Sequence, residues 1–269
     1  MSSSIGRDRV SVAVCLKWVT PVGRDDDRFA GVSAADQAAL ESALMWAERT
    51  GADVTVVTVG PVGAERALRD ALACGATRAI RIDADPSAPS SDVARVVAPH
   101  VASASMVWCG DYSLDRGSGS FPAFLADTLG IDQALGLVDV DLSDPERIRA
   151  VRRLDGGRRE VLSITARAVV SVEGSVARLR RAPLRALLAT NDAAISVHAA
   201  ALIGEETALV PFRPRARVLP APVGSSALDR VRTLTDAGGT PSRSETVELS
   251  PDAAADRILA ALREWGYLA

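Results

Sequence analysis

The chain is predicted to fold as an α/β protein: a parallel twisted sheet with helices on both faces, antiparallel edge strands and an extended C-terminal arm. Three observations predict this. Between residues 10 and 129, short apolar runs rich in β-branched residues alternate with helical patterns, which implies crossover units and parallel pairing. Between residues 137 and 172, strand-like runs follow one another without helices, which suits an antiparallel edge. Beyond residue 190, prolines and a glycine pair interrupt every period.

Each element has its own local reason. Val10 to Leu16 is an apolar run of the kind buried on both faces of a parallel sheet. Val19 to Gly31 holds Pro21, Gly23 and three consecutive aspartates, and reads as a loop. Ser33 is placed to cap a helix from Ala34 to Arg49, with Ala35, Ala39, Leu40, Ala43, Leu44 and Ala47 on one face. Val54 to Val59 is a second strand, closed by Gly60-Pro61. Ala64 to Ala73 is a second helix, stopped at Gly75, and Ala79 to Ile82 is a third strand. Ser91 is placed to cap a helix from Asp92 to Ala98, which Pro99 is expected to end. Met106 to Cys109 is a fourth strand, and Phe121 to Leu129 a helix with Pro122 in its first turn.

Leu137 to Val140, Ile148 to Leu154, Glu160 to Thr165 and Ala168 to Val172 read as further strands, with Asp155-Gly156-Gly157 turning a hairpin. Arg178 to Leu188 mixes arginine with leucine. It reads either as an amphipathic surface helix starting near Pro183 or as a docking segment. Asn191 to Ser250 is too long for a structureless loop, and Leu209-Val210, Phe212 and Val218-Leu219 are too apolar for a disordered tail. Residues 1–190 are therefore expected to form the sheet domain. Residues 191–269 are expected to form an arm on a partner subunit, ending in a helix from Pro251 to Trp265 capped by Ser250.

The stretch from Ser105 to Leu129 organises the rest. A strand ends at Gly110, a small polar loop runs from Ser113 to Ser120, and a helix begins at Phe121-Pro122. Free N–H groups and the helix dipole at such a corner favour a phosphate. In a parallel sheet, ligands gather outside the carboxyl ends of the strands, where Cys15 to Lys17, Val59-Gly60 and Gly110 to Ser120 converge. An adenine nucleotide is the expected ligand. No Gly-x-Gly-x-x-Gly follows the first strand, so the site is not a Rossmann dinucleotide fingerprint. An ordinary strand-to-helix connection is the other reading of the loop.

Composition narrows the classes. The 269 residues are 48% hydrophobic and 4% aromatic, with a net charge of −3, which offers no footprint for nucleic acid. No run approaches transmembrane length, and the first nine residues hold no apolar signal-peptide core. Cys15, Cys74 and Cys109 are far apart in sequence, and His100 and His198 are the only histidines, so neither a disulfide framework nor a metal site is expected. A cytoplasmic location fits these counts. Lys17 is the only lysine among 31 basic residues, at the end of the first strand, where it can meet a phosphate or a carboxylate.

Four segments resemble the β subunit of the electron transfer flavoprotein family. Val14-Cys15-Leu16-Lys17-Trp18-Val19 is similar to the family's opening Val-x-x-Lys-x-Val. Ser33-Ala34-Ala35-Asp36-Gln37 and the helix after it resemble Asn-Pro-x-Asp-Glu. Asp115-Arg116-Gly117-Ser118-Gly119-Ser120-Phe121-Pro122, with Leu125-Ala126, resembles Asp-Gly-Asp-Thr-Gly-Gln-Val-Pro with Leu-Ala. Val151 to Val161 with Val169-Val170 resemble the family signature across its hairpin. The departures mark a divergent member. Ser33-Ala34 stand for Asn-Pro, Gly117 for an acid and Ser120 for a glutamine, and the positions of aromatic rings near the flavin fall at Val22 and Ala35.

The resemblance implies an electron carrier rather than an enzyme, in a heterodimer with an α subunit that contributes most of the contacts to a shared FAD. It implies a dehydrogenase as electron donor and a quinone-reductase-type acceptor. The β site would hold AMP, or the ADP part of a second FAD. The implied contacts are Cys15, Lys17, Ser33, Ala34, Ala35, Asp36, Val59 and Gly60. They continue through Asp115, Arg116, Gly117, Ser118, Gly119, Ser120, Phe121, Pro122, Ala123 and Ala126. Of these, Ser118 and Ser120 suit phosphate, backbone at Cys15 and Val59 suits adenine, and Asp115 or Asp36 suits ribose hydroxyls. The family's recognition segment for a dehydrogenase falls at Arg180 to Ala189, with Ala182 at its leucine and Leu184 beside it. Two alternatives share this sheet: an adenine-nucleotide hydrolase-type enzyme, whose Ser-Gly-Gly-x-Asp-Ser motif is missing after the first strand, and a universal-stress-type nucleotide-binding protein.

Overall fold

The computed structural model describes residues 11–20, 27–165, 167–201, 224–235 and 247–268. The chain divides into two units, Met1–Ala208 and Leu209–Ala269. In the first, the elements run β1 (Ser11–Cys15), α1 (Ala34–Thr50), β2 (Asp53–Val59), α2 (Glu65–Cys74), β3 (Arg78–Asp83), α3 (Ser90–Val101), β4 (Met106–Gly110) and α4 (Phe121–Leu129). They continue with β5 (Asp132–Asp144), β6 (Arg147–Arg153), β7 (Arg159–Ile164), β8 (Ala168–Val172), α5 (Leu184–Thr190) and β9 (Ser196–Ala199). The strands form one sheet in the order β7-β6-β5-β8-β4-β1-β2-β3-β9. From β5 through β9 in that order neighbouring strands pair in parallel; β5 with β6 and β6 with β7 are antiparallel.

Helices cover both faces. On one face α1 lays Ala39, Leu40, Ala43 and Leu44 over Val12, Val14 and Trp108, and α2 adds Leu68 and Ala71. On the other, α3 and α4 pack Ala94, Val97, Leu125 and Ala126 against Val57, Val107 and Val169. This double cover is why β1, β4 and β8 read as continuous apolar runs rather than alternating ones.

Several boundaries differ from the sequence expectation. The third helix starts at Ser90 and runs through Pro99 to Val101, with Pro89 rather than Ser91 at its N-cap. Pro99 lies in the last turn, where it costs a single backbone bond, and buried Val97, Ala98 and Val101 hold that turn against the sheet. The last strand before the arginine-rich segment is not part of the antiparallel edge: β8 is inserted between β4 and β5 and pairs in parallel with both. β5 is longer than Leu137 to Val140, because its first half pairs with β8 and its second with β6. The change of partner occurs at Gly136, whose φ is +67° and whose N–H donates to the buried Ser171 hydroxyl at 2.9 Å. The sheet also extends past residue 190 to β9, four residues too short to show a period in sequence.

In the second unit the described elements are α6 (Ala227–Thr235) and α7 (Pro251–Glu264). As the sequence suggests, Ser250 caps α7, accepting from the Ala253 N–H at 3.4 Å, with Pro251 in the first turn. Val10, Pro21, Val22 and Gly23, and the apolar positions Leu209-Val210, Phe212 and Val218-Leu219, lie outside the described residues. No helix among the described residues is long and apolar enough to cross a membrane.

Leu125 is fully buried and joins α4 to the sheet. Leu125→Ala is expected to lower unfolding stability by about 2–5 kcal/mol, read from the midpoint of a urea titration.

Candidate functional site

At the carboxyl ends of β1, β2 and β4 lies a cleft open to solvent. Its apolar floor is made by Cys15, Val57, Val59 and Cys109 on the α3–α4 side of the sheet, with Val97 of α3 against them. Its rim is polar: Lys17 and Asp36 on one side, and Ser90, Arg116, Ser118 and Ser120 on the other.

The wall beside β1 is built by the start of α1. Ser33 and Asp36 cap each other: the Ser33 hydroxyl accepts from the Asp36 N–H at 3.0 Å, and the Asp36 carboxylate accepts from the Ser33 N–H at 3.4 Å. The same carboxylate oxygen accepts from the Lys17 N–H at 3.3 Å. A Cβ at Gly110 would lie 2.6 Å from Asp36 Oδ1 and 2.7 Å from the Asp36 backbone nitrogen, and one at Gly174 would lie 2.9 Å from the Ala34 Cβ. Only glycine at these two places lets α1 begin so close to the strand ends. Burial pushes the Asp36 carboxyl up to about 7, despite the hydrogen bonds that favour its charged form.

The Ser113–Ser120 loop is tied down on two sides. Toward β1, Lys17 Nζ donates to Asp115 Oδ2 at 2.6 Å, and the Ser113 hydroxyl donates to Asp115 Oδ1 at 2.5 Å. Burial alone would raise the Asp115 carboxyl; the hydrogen bonds from Lys17 and Ser113 outweigh it and hold this group well below the usual carboxylate range. Toward α3, the Arg116 guanidinium donates to the carbonyls of Ser87 and Ala88. The Ser120 hydroxyl donates to Ser90 Oγ at 3.1 Å and lies 3.0 Å from Ser118 Oγ. Gly117 and Gly119 both have φ of +60°, and a Cβ on Gly119 would strike the Asp111 carbonyl oxygen at 2.4 Å. No side chain caps α4, so its first N–H groups face the loop with the positive end of the helix dipole.

The cleft thus brings together ten of the expected positions: Cys15, Lys17, Asp36, Val59, Arg116 and the run from Ser118 to Pro122. The remaining expected residues lie outside its lining. Ser33, Ala34 and Ala35 support the wall, and Asp115 and Gly117 shape the loop. The Gly60 carbonyl accepts from buried Arg81 at 3.0 Å, and Arg81 also pairs with Glu65 and Asp83. Ala123 and Ala126 line a separate groove between α4 and β7. Sequence reasoning passed over the far rim, Pro86, Ala88 and Ser90, and the α3 face at Val93 and Val97. The cluster of prolines and serines after the third strand was the available signal.

The segment before α5 is anchored on α1. Arg180 forks onto both Glu41 oxygens at 3.0–3.1 Å and also pairs with Glu48, so its charge is used within the subunit. Ala182 is half-buried, whereas Leu184 and Leu188 are 71% and 62% exposed.

A twisted parallel sheet with an apolar floor, an uncapped helix N-terminus and basic side chains at its strand ends defines the doubly wound class of α/β protein that binds ligands at that edge. The chain belongs to the electron transfer flavoprotein family: the family profile described as "Electron transfer flavoprotein domain" matches residues 25–203. The electron transfer flavoprotein subunit beta of Mycobacterium bovis is 31% identical over 184 residues, which cover 64% of this chain and 68% of that one. The subunit of the same name from Methylophilus methylotrophus is 31% identical over 160 residues, 56% of this chain and 60% of its own. Protein FixA of Bradyrhizobium diazoefficiens is 32% identical over 133 residues, covering 45% and 46%.

The raised Asp36 carboxyl has a consequence for stability. Between its unfolded value near 4 and about 7, the folded chain holds a proton that the unfolded chain has lost, so its contribution falls as pH rises through that window. Asp36→Asn keeps an acceptor for the Ser33 and Lys17 N–H groups. The expected result is that the stability of the wild-type chain, relative to this variant, declines from pH 4 to pH 7 and then levels off in paired urea titrations.

Proposed function

We propose that this chain is the β subunit of a heterodimeric electron transfer flavoprotein, holding AMP or the ADP part of a second FAD in the strand-end cleft. Its α partner would carry the FAD that passes electrons from a dehydrogenase to a quinone-reductase-type acceptor. The observation that carries the reading is the cleft itself, within a chain of this family. Its apolar floor accepts an adenine ring, and backbone groups at the ends of β1 and β2 supply the edge contacts. Its mouth offers the α4 N-terminus, two serine hydroxyls and the Arg116 guanidinium to a phosphate, with the Lys17–Asp115 ion pair beside them. Of the two carboxylates considered for the ribose, Asp36 lines the cleft, whereas Asp115 is committed to Lys17 and Ser113.

In this reading the protein's part is to bind and to orient. When bound, the flavin of the α partner supplies the electron chemistry, and no side chain of this chain needs to act as acid, base or nucleophile. The nucleotide stabilises the β subunit by linkage, since it binds only the folded cleft. The arm after the sheet and the exposed leucines of α5 are assigned to partners: the arm to the α subunit, and Ala182 with Leu184 to the electron donor.

Two outcomes test this. Co-production with the α subunit from the same source should give a yellow complex, whose acid extract contains an adenine nucleotide in addition to the α-site FAD. A colourless, fully stable monomer under the same conditions would count decisively against the proposal. Leu184→Ala should leave the unfolding midpoint unchanged, because the side chain is largely exposed, and should raise the apparent KM for the reduced dehydrogenase. An unchanged KM would remove Leu184 from the docking surface.

A further inference from the structure

The floor of the cleft contains two free thiols that face each other. Cys15 ends β1 and Cys109 lies in β4, and the two are in-register partners on adjacent parallel strands. Both belong to the same packed cluster on the α3–α4 side of the sheet, so their side chains share one face. Both also line the cleft. Neighbouring strands run about 4.7–4.9 Å apart. That spacing falls inside the range of about 4.4–6.8 Å between Cα atoms that a disulfide spans. Because the two Cα–Cβ bonds run nearly parallel, the Cβ atoms sit at a similar spacing, and closing the bond draws them in by a few tenths of an ångström, to within about 4.5 Å. Cys74, the third cysteine, lies on the opposite face and points its thiol at the Arg180 carbonyl, 3.6 Å away.

We propose that Cys15 and Cys109 form a reversible redox site, in which a small disulfide entering the cleft oxidises the pair to a cross-strand disulfide. In the first step the Cys15 sulfur, giving up its proton, attacks one sulfur of the small disulfide. A mixed disulfide forms, and one small thiol leaves with a proton. In the second step Cys109 gives up its proton and its sulfur attacks the Cys15 sulfur, expelling the second small thiol. Two protein thiols are oxidised and one small disulfide is reduced to two thiols, so electrons and protons balance. Cys15 takes the first step for two reasons. It is the less deeply buried of the two, at 7% against 2%. Cys109 also holds its proton tightly, because of the neighbouring Cys15 thiol and of burial. Burial makes the reaction slow, and the cleft is the route by which an oxidant reaches the pair.

The consequence for ligand binding rests on the nucleotide reading above; the disulfide itself does not. A base seated on this floor covers both sulfurs. Oxidation and nucleotide binding then exclude each other, and the pair senses oxidant only when the cleft is empty.

The test uses the full-length wild-type chain, freed of nucleotide and incubated with hydroxyethyl disulfide. It is then acid-quenched, alkylated under denaturing conditions and mapped by mass spectrometry. The expected product links the Cys15 and Cys109 peptides, disappears on dithiothreitol treatment and leaves Cys74 alkylated throughout. A Cys109 that remains fully alkylated, or a link that recruits Cys74 instead, overturns the proposal. AMP at 100 times its Kd should slow the link about a hundredfold, the fraction of clefts left open. A link that forms equally fast with AMP present upholds the disulfide and counts against the nucleotide reading, so the two failures are distinguishable.

Discussion

The first turn of α1 lies so close to the ends of β4 and β8 that no Cβ fits between them. Glycine at 110 and 174 makes room, and Asp36 occupies the point of closest approach. Its carboxyl is stripped of water and in return takes the Ser33 and Lys17 N–H groups. The cap therefore does two jobs. It starts a 17-residue helix, and it fixes the backbone at Lys17, two residues past the end of β1. The near wall of the cleft follows from that contact, and so does the position of Lys17, whose ammonium group then reaches the glycine/serine loop.

The loop is held by charge and by backbone shape together. Lys17 draws it toward β1 through Asp115, and Arg116 draws it toward the carbonyls that precede α3. Two left-handed glycines let it turn tightly over Asp111 and Ser113. The result is a polar opening beside the start of α4, with Lys17 and Arg116 at its edges, above an apolar floor of valines and thiols. A nucleotide needs this division, since its base seeks apolar contact and its phosphate seeks donors.

The topology sets which strands form this edge of the sheet. Inserting β8 between β4 and β5 puts the most apolar strands at the centre and pushes the β5–β6–β7 meander to one side. Buried Ser171 meets the N–H freed where β5 changes partner, so the switch from parallel to antiparallel pairing leaves that donor satisfied.

Much of this was legible in the residues. The N-cap at Ser33, Pro122 in the first turn of its helix and the alternating strands and helices all follow from local preferences that need no distant partner. The insertion of β8, the pairing of β9 and the helix that continues past Pro99 were not legible, because each depends on what packs against it. Within the cleft, the near rim was visible because it lies on three strand ends in sequence. The α3 face was not, because an apolar Val93 and Val97 look the same whether they fill a core or line a cavity. The sequence alone determined the class of fold and the family, since these rest on period, capping and motif. Tertiary structure alone decided that Cys15 faces Cys109, that Arg180 pairs with Glu41 and Glu48, and that Asp36 is buried. Those are meetings between residues far apart in the chain, and only strand register and helix packing bring them together.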